Sequence, residues 1–219
     1  MAAPAAADPL RITETAPLYQ AEVRFSAAAA ALPALDARLR ADAATTLDAF
    51  KAWAANNDDP ARPYDFVLED AAAFVSARYV SLVRTVYFYT GGAHGNTGVQ
   101  AMTWDAAAQD FVGIDAFVTA PQGLEALSRA LRAAVADQVH GGAIDDFWRD
   151  SVDGATAPTQ EALRNFTLVA DAEGRAAALD FHYAPYEVAS YADGAPVIRV
   201  DLAVFAAHLT PEGAALFGR

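Results

Sequence analysis

The sequence predicts an α+β protein: antiparallel sheets with helices packed on one face, arranged as two closely associated lobes. Three observations predict it. Segments with alternating apolar residues occur in runs and do not alternate one by one with helices, which argues against a doubly wound parallel sheet. Two long stretches carry apolar residues at spacings of three and four, the mark of amphipathic helices. A chain of 219 residues, 54% hydrophobic and 20% charged, can bury roughly 70% of the surface its unfolded form exposes, without disulfides or metals.

Residues 1 to 16 are rich in Ala and Pro and are predicted to be a disordered tether. Leu18 to Phe25 then alternates, with Leu18, Ala21, Val23 and Phe25 apolar against Gln20, Glu22 and Arg24, and reads as a strand. After Pro33, the spacing of Leu35, Leu39, Leu47, Phe50 and Trp53 predicts a helix, closed by the polar run from Asn56 to Asp59 and by Pro60. From Tyr64 to Tyr89 the chain is rich in Phe, Val and Tyr without Gly or Pro. It is too long for one strand and predicts two or three antiparallel ones. A glycine-rich turn over residues 91–96 separates these from a strand at about Thr97 to Trp104, a turn at Asp105 to Asp110, and a short apolar continuation from Phe111 to Phe117.

Pro121 opens a second helix whose stripe is Leu124, Leu127, Leu131, Val135 and Val139, with His140-Gly141-Gly142 as its stop. Shorter helical stretches are expected around Ile144 to Ser151 and Thr159 to Leu163. Phe166 to Ala170 and Ala176 to Tyr183, either side of Asp171-Ala172-Glu173-Gly174, predict a hairpin. Val197 to Val200 is a last strand, and Thr210-Pro211-Glu212 begins a final short helix. A boundary between the lobes is expected near residue 106.

Lys and Arg total 15 against 28 Asp and Glu, a formal charge of −13, and Lys51 is the sole lysine. Such a field repels phosphate backbones and anionic headgroups and steers basic partners inward, so nucleic acid is excluded as a partner. With no cysteine, there is no disulfide framework and no thiolate site. No run of about 18 apolar residues occurs, so membrane association is expected only through an anchor outside this chain. The opening Met1-Ala2-Ala3-Pro4 is read as a start methionine joined to a mature protein from which a signal or anchor has been trimmed.

Two segments carry a family resemblance. Tyr87-Phe88-Tyr89-Thr90-Gly91-Gly92-Ala93-His94-Gly95-Asn96 is an aromatic strand followed by a Gly-Gly-Ala-His turn. Phe181-His182-Tyr183-Ala184-Pro185-Tyr186-Glu187-Val188-Ala189-Ser190-Tyr191 holds a Pro-Tyr-Glu-x-Ala-x-Tyr pattern, completed by Gly194. In this order they resemble the extracytoplasmic domain family shared by RsiV-type anti-sigma factors and the non-catalytic front half of PdaC-type peptidoglycan deacetylases. The resemblance implies a PdaC-type front lobe over residues 17–106 and an RsiV-type back lobe over 107–219. It also implies a periplasmic or extracellular location, as a membrane-tethered lipoprotein or a secreted protein, since the RsiV region lies outside the cell and recognises lysozyme. Ser190 stands where many relatives have Pro, which leaves the rigidity of that loop open. No polysaccharide-deacetylase motif is present, so the catalytic half of the deacetylase has no counterpart here.

The residues singled out for partner or ligand binding are Gly91, Gly92, His94 and Asn96 in the first segment and Pro185, Tyr186 and Tyr191 in the second. Glycines that interrupt a strand mark a positive φ or a close backbone approach. The competing reading makes them a shaped turn in which His94 bonds to backbone. Phe181 and Tyr183 read as half-buried sheet residues, whereas Tyr186 and Tyr191 lie beyond Pro185, where loop tyrosines offer contact area at low entropic cost. His94, His140, His182 and His208 show no zinc-ligand spacing, so no metal or other cofactor is expected. Asp145, Asp146, Asp150 and Asp153 around Phe147-Trp148 read as a solvated face, and no catalytic residue is assigned.

These readings converge on an extracytoplasmic binding or sensor module of the bacterial envelope. Its expected partner is a basic protein such as a lysozyme-type muramidase, or peptidoglycan glycan. The alternative is a cell-wall-active enzyme or hydrolase inhibitor in which His94 and a nearby carboxylate act as acid and base.

Overall fold

A computed structural model describes residues 10–219, and the class is α+β. Six strands follow one another in sheet order as in sequence: β1 (Arg11–Ala16), β2 (Tyr19–Arg24), β3 (Tyr64–Val75), β4 (Tyr79–Tyr89), β5 (Asn96–Asp105) and β6 (Asp110–Val112). A second sheet holds β7 (Phe166–Ala170), β8 (Ala176–His182) and β9 (Val197–Asp201). The helices are α1 (Ala27–Ala30), α2 (Pro33–Ala54), α3 (Gln122–Gln138), α4 (Arg149–Ala155), α5 (Leu202–Phe205) and α6 (Pro211–Leu216). Among the described residues no helix is long and apolar enough to cross a membrane.

The chain divides into two compact units, one running to Ala72 and including Arg84–Gly98, the other comprising Ala73–Val83 and Val99–Arg219. The division points fall inside β3, β4 and β5 instead of at a single point near residue 106. Strands this long serve both units, and a turn signal in the sequence cannot mark a boundary in mid-strand.

In the first unit, β1 pairs antiparallel with β2, from Arg11 opposite Arg24 to Ala16 opposite Tyr19. The predicted tether over residues 1–16 is therefore a strand from Arg11 onward, and residues 1–9 lie outside the described residues. β2 runs parallel to β3, Tyr19 opposite Tyr64, against the expectation of purely antiparallel pairing. A parallel pair needs a long crossover, and α2 supplies it. Helix α2 buries Leu35, Leu39, Ala43, Leu47, Phe50 and Ala54, and its C-terminal half joins Ala21, Val23, Phe66 and Leu68 in one core. Each large side chain there contributes about 2 kcal/mol of transfer free energy. Trp53, placed in this stripe by its spacing, is instead 50% exposed and rests against Phe88 at 5.6 Å. At about 100° per residue, the stripe passes from Phe50 to Ala54 and leaves Trp53 on the flank.

The second unit is built around Phe117, Leu127, Leu131, Phe166, Leu168, Phe181, Ile198 and Phe205. Helix α3 presents Leu124, Leu127, Leu131 and Val135 to this core, as predicted. The hairpin β7–β8 closes on Asp171, whose Oδ1 accepts from the amides of Glu173 (3.0 Å) and Arg175 (2.8 Å). Thr210 caps α6 by accepting from Gly213 N at 2.9 Å. Two short helix expectations are corrected. The helix expected around Ile144 to Ser151 begins only at Arg149, because Asp145 first holds the Trp148 amide in a turn at 3.1 Å. Thr159 to Leu163 forms turns, a segment too short between Pro158 and β7 to repay helix nucleation.

Candidate binding site

The first predicted segment lies in the first unit. Gly91 and Gly92 adopt φ of +93° and +96° in open space, so it is the backbone conformation that requires glycine there. At Gly95 the demand is steric, since a Cβ would run into the Tyr87 ring. The turn is held by its own atoms: Tyr89 Oη donates to Gly92 O at 3.1 Å, and His94 Nδ1 lies 2.8 Å from Gly95 O. His94 and Asn96 are exposed.

The second predicted segment lies in the second unit, where Phe181 and Tyr183 are buried. Beyond them the chain makes a tight turn. Ala184 N donates to Glu187 Oε2 at 2.8 Å, Glu187 N to Ala184 O at 3.1 Å, and Tyr186 N to Ala189 O at 2.9 Å. Tyr186 sits at φ +71° and is 54% exposed. A bulky residue in the left-handed region is strained and persists only where its surroundings over-determine it.

Those surroundings are specific. Ser190 Oγ and N both bond Asp193 Oδ2, at 2.6 and 3.1 Å, in a capping box for the single turn Tyr191–Asp193. The rigidity left open by the absence of Pro at 190 is supplied by this pair. From the end of α3, His140 Nε2 meets Val188 O at 2.9 Å. His140 thus does more than stop the helix, a role its sequence context did not signal. The braced loop holds the rings of Tyr186 and Tyr191 5.8 Å apart and inclined by 34°.

Glu187 also lines a polar cleft of about 570 Å³, together with Gln100, Glu161, Arg164 and Asn165. Asn165 organises its floor. Its Oδ1 accepts from Ala101 N, and its Nδ2 donates to Val99 O (3.3 Å) and His182 O (2.5 Å). The carboxamide thereby completes the edge of β5 as a neighbouring strand would. His182 N returns a bond to Asn165 O at 2.9 Å, and His182 Nε2 contacts Thr167 Oγ1 at 2.9 Å. Burial lowers the His182 pKa, against the opposing field of Asp180. Every polar atom of the Asn165 side chain is thus committed.

Sequence reasoning placed Pro185, Tyr186 and Tyr191 in a loop, where the structure has them, but did not anticipate the cleft. Of its residues, only Glu187 stood within a quoted motif; the others fall in three short groups, at 99–100, 154–155 and 161–165, that no motif joins. In the acidic stretch around Phe147, Asp146 pairs with Arg149 and Asp153 with Arg132 of α3. Among the described residues, no three His, Cys, Asp or Glu side chains gather into a metal-holding group.

Comparison with known proteins bears on both units. Residues 16–97 match the family model described as Deacetylase PdaC. A crystal structure of a DUF3298 family member from Bacteroides fragilis is similar, with 18% identity, coverage of 94% of this chain and 93% of that one, and a TM-score of 0.62. A DUF3298 family protein from Pseudomonas aeruginosa PAO1 is likewise similar, with 17% identity, coverage of 94% and 96%, and a TM-score of 0.63. At such identities the likeness is one of fold. No curated protein matches the chain.

Proposed function

We propose that this chain, which carries a PdaC-type domain over residues 16–97 and shares the fold of DUF3298 proteins, is a non-catalytic binding module of the bacterial envelope. It acts outside the cytoplasm on a cationic protein of the lysozyme-type muramidase class. The observation that carries this reading is the pairing of exposed Tyr186 with half-buried Tyr191 on a strained, doubly braced loop. Strain retained at an exposed aromatic marks a surface kept for contact, and tyrosine anchors dominate recognition surfaces. The formal charge of −13 adds attraction for a basic partner.

Calorimetric titration with a cationic muramidase tests it. Binding is expected at low salt, weakening as salt rises, with a marked loss in Tyr186→Ala. Absence of binding at low salt abandons the reading.

A second reading, cell-wall glycan as the ligand, is favoured by the polar cleft beside Glu187. Binding of peptidoglycan fragments in place of the protein would select it. An acid–base role for His94 receives less support, because its Nδ1 is engaged with the neighbouring Gly95 carbonyl in a turn.

A further inference from the structure

We infer that the cleft beside the tyrosine loop is a pocket for an arginine side chain. The inference deepens the proposed function and rests on it, naming where a basic partner inserts and which of its side chains does so.

The argument is an inventory of bonding capacity. Gly154, Ala155 and Ala162 line one part of the cleft with short side chains, which leaves room for a long guest. The Asn165 carboxamide is fully occupied by Ala101, Val99 and His182 and serves as wall. Arg164 is neutralised by Glu161, three residues away. Glu187 remains. One of its oxygens accepts the Ala184 amide, but the carboxylate forms no ion pair among the described residues. Gln100, exposed on β5, adds a neutral amide acceptor.

The cleft therefore offers one uncompensated negative charge and a carbonyl acceptor, in a lining that does not include Tyr186. A guanidinium matches both. It carries five donors in a planar fork, which lets it reach the Glu187 carboxylate and the Gln100 amide oxygen together. An ammonium supplies only a compact, strongly hydrated charge without the planar fork.

The test is an NMR titration of the full chain with the blocked amides of arginine, lysine and citrulline. Arginine amide is expected to shift the backbone amides of Gln100, Arg164, Asn165, Tyr186 and Glu187. Lysine amide should bind more weakly, and neutral citrulline, of the same shape, not measurably. Glu187→Gln keeps an acceptor for the Ala184 amide and should weaken arginine binding about tenfold, as loss of a charge-assisted bond does. Shifts scattered over the acidic surface, equal binding of citrulline or lysine, or an unaffected Glu187→Gln variant would each overturn the pocket. A chain that binds a cationic muramidase but ignores arginine amide retains the proposed function and loses this inference. Arginine binding without muramidase binding does the reverse.

Discussion

Asp70 on β3 and Arg84 on β4 form a two-pronged ion pair in the first unit, with Arg84 Nε 2.7 Å from Asp70 Oδ1 and Nη2 2.8 Å from Oδ2. Both residues are buried, and Nη2 also donates to Leu39 O of α2 at 3.0 Å. The pair thus ties helix to sheet within one core. Asp70→Asn removes the buried countercharge and leaves the guanidinium only the exposed Asp42 carboxylate at 3.7 Å, which costs about 3 kcal/mol. Denaturant unfolding should show the whole loss, whereas replacing both residues by apolar ones of similar volume should recover most of it. Equal destabilisation by the single and double changes would refute the argument.

Tyr183 presents the opposite case. Its hydroxyl is buried without a hydrogen-bond partner among the described residues, and burial, followed by the negative field of Glu187, pushes its pKa upward, so it remains a neutral phenol. An unsatisfied buried hydroxyl costs about 1–3 kcal/mol. Tyr183→Phe is therefore expected to stabilise the protein by about 1 kcal/mol, read as a rise in Tm. A fall in Tm would mean that the hydroxyl is satisfied in solution.

Tyr186 should separate stability from binding. Relief of its left-handed conformation in Tyr186→Gly is worth about 1 kcal/mol, partly offset by the entropy glycine loses on folding. The variant should be no less stable than the parent by thermal melting, yet lose the cationic partner. Retained affinity would remove the tyrosine from the recognition surface.

His182 makes stability depend on pH in a defined window. Its folded-state pKa is depressed below the ordinary value of 6.5, so the unfolded chain binds the proton more readily. The stability of the neutral, buried ring is complete above 6.5 and is lost as pH falls from there towards the folded-state value. Glu14, Asp59, Asp105 and Asp171, all with lowered pKa values, lose their contributions only at more acidic pH. Melting curves between pH 7.5 and 5 should thus fall for the parent and stay flatter for His182→Gln. Identical slopes would show that another group titrates there.

The parts of the fold that could be read in advance are those whose signal is local. Leu124, Leu127, Leu131 and Val135 recur at helical spacing, and all are buried. Asp171-Ala172-Glu173-Gly174 carries the turn chemistry of a hairpin. β1 escaped because Arg-Ile-Thr-Glu-Thr-Ala has one large apolar residue, Ile12, and that residue is 40% exposed. A strand held by its ladder more than by its side chains leaves little apolar trace.

The candidate site divides in the same way. The tyrosines were legible because Pro185 ends a strand pattern and places them in a loop. Their inclination, the left-handed turn at Tyr186 and the brace from His140 were not, since each depends on atoms remote in sequence.

By itself the sequence determined the α+β class, the two amphipathic helices, the acidic field and the two aromatic–glycine segments, because periodicity, composition and turn chemistry act over a few residues. Only the tertiary structure decided that β2 and β3 run parallel, that the units divide within strands, and that Asn165 and Glu187 wall one cleft. Those outcomes follow from burial and hydrogen-bond satisfaction across the folded chain, where partners such as Ala101 and Asn165 meet from distant positions.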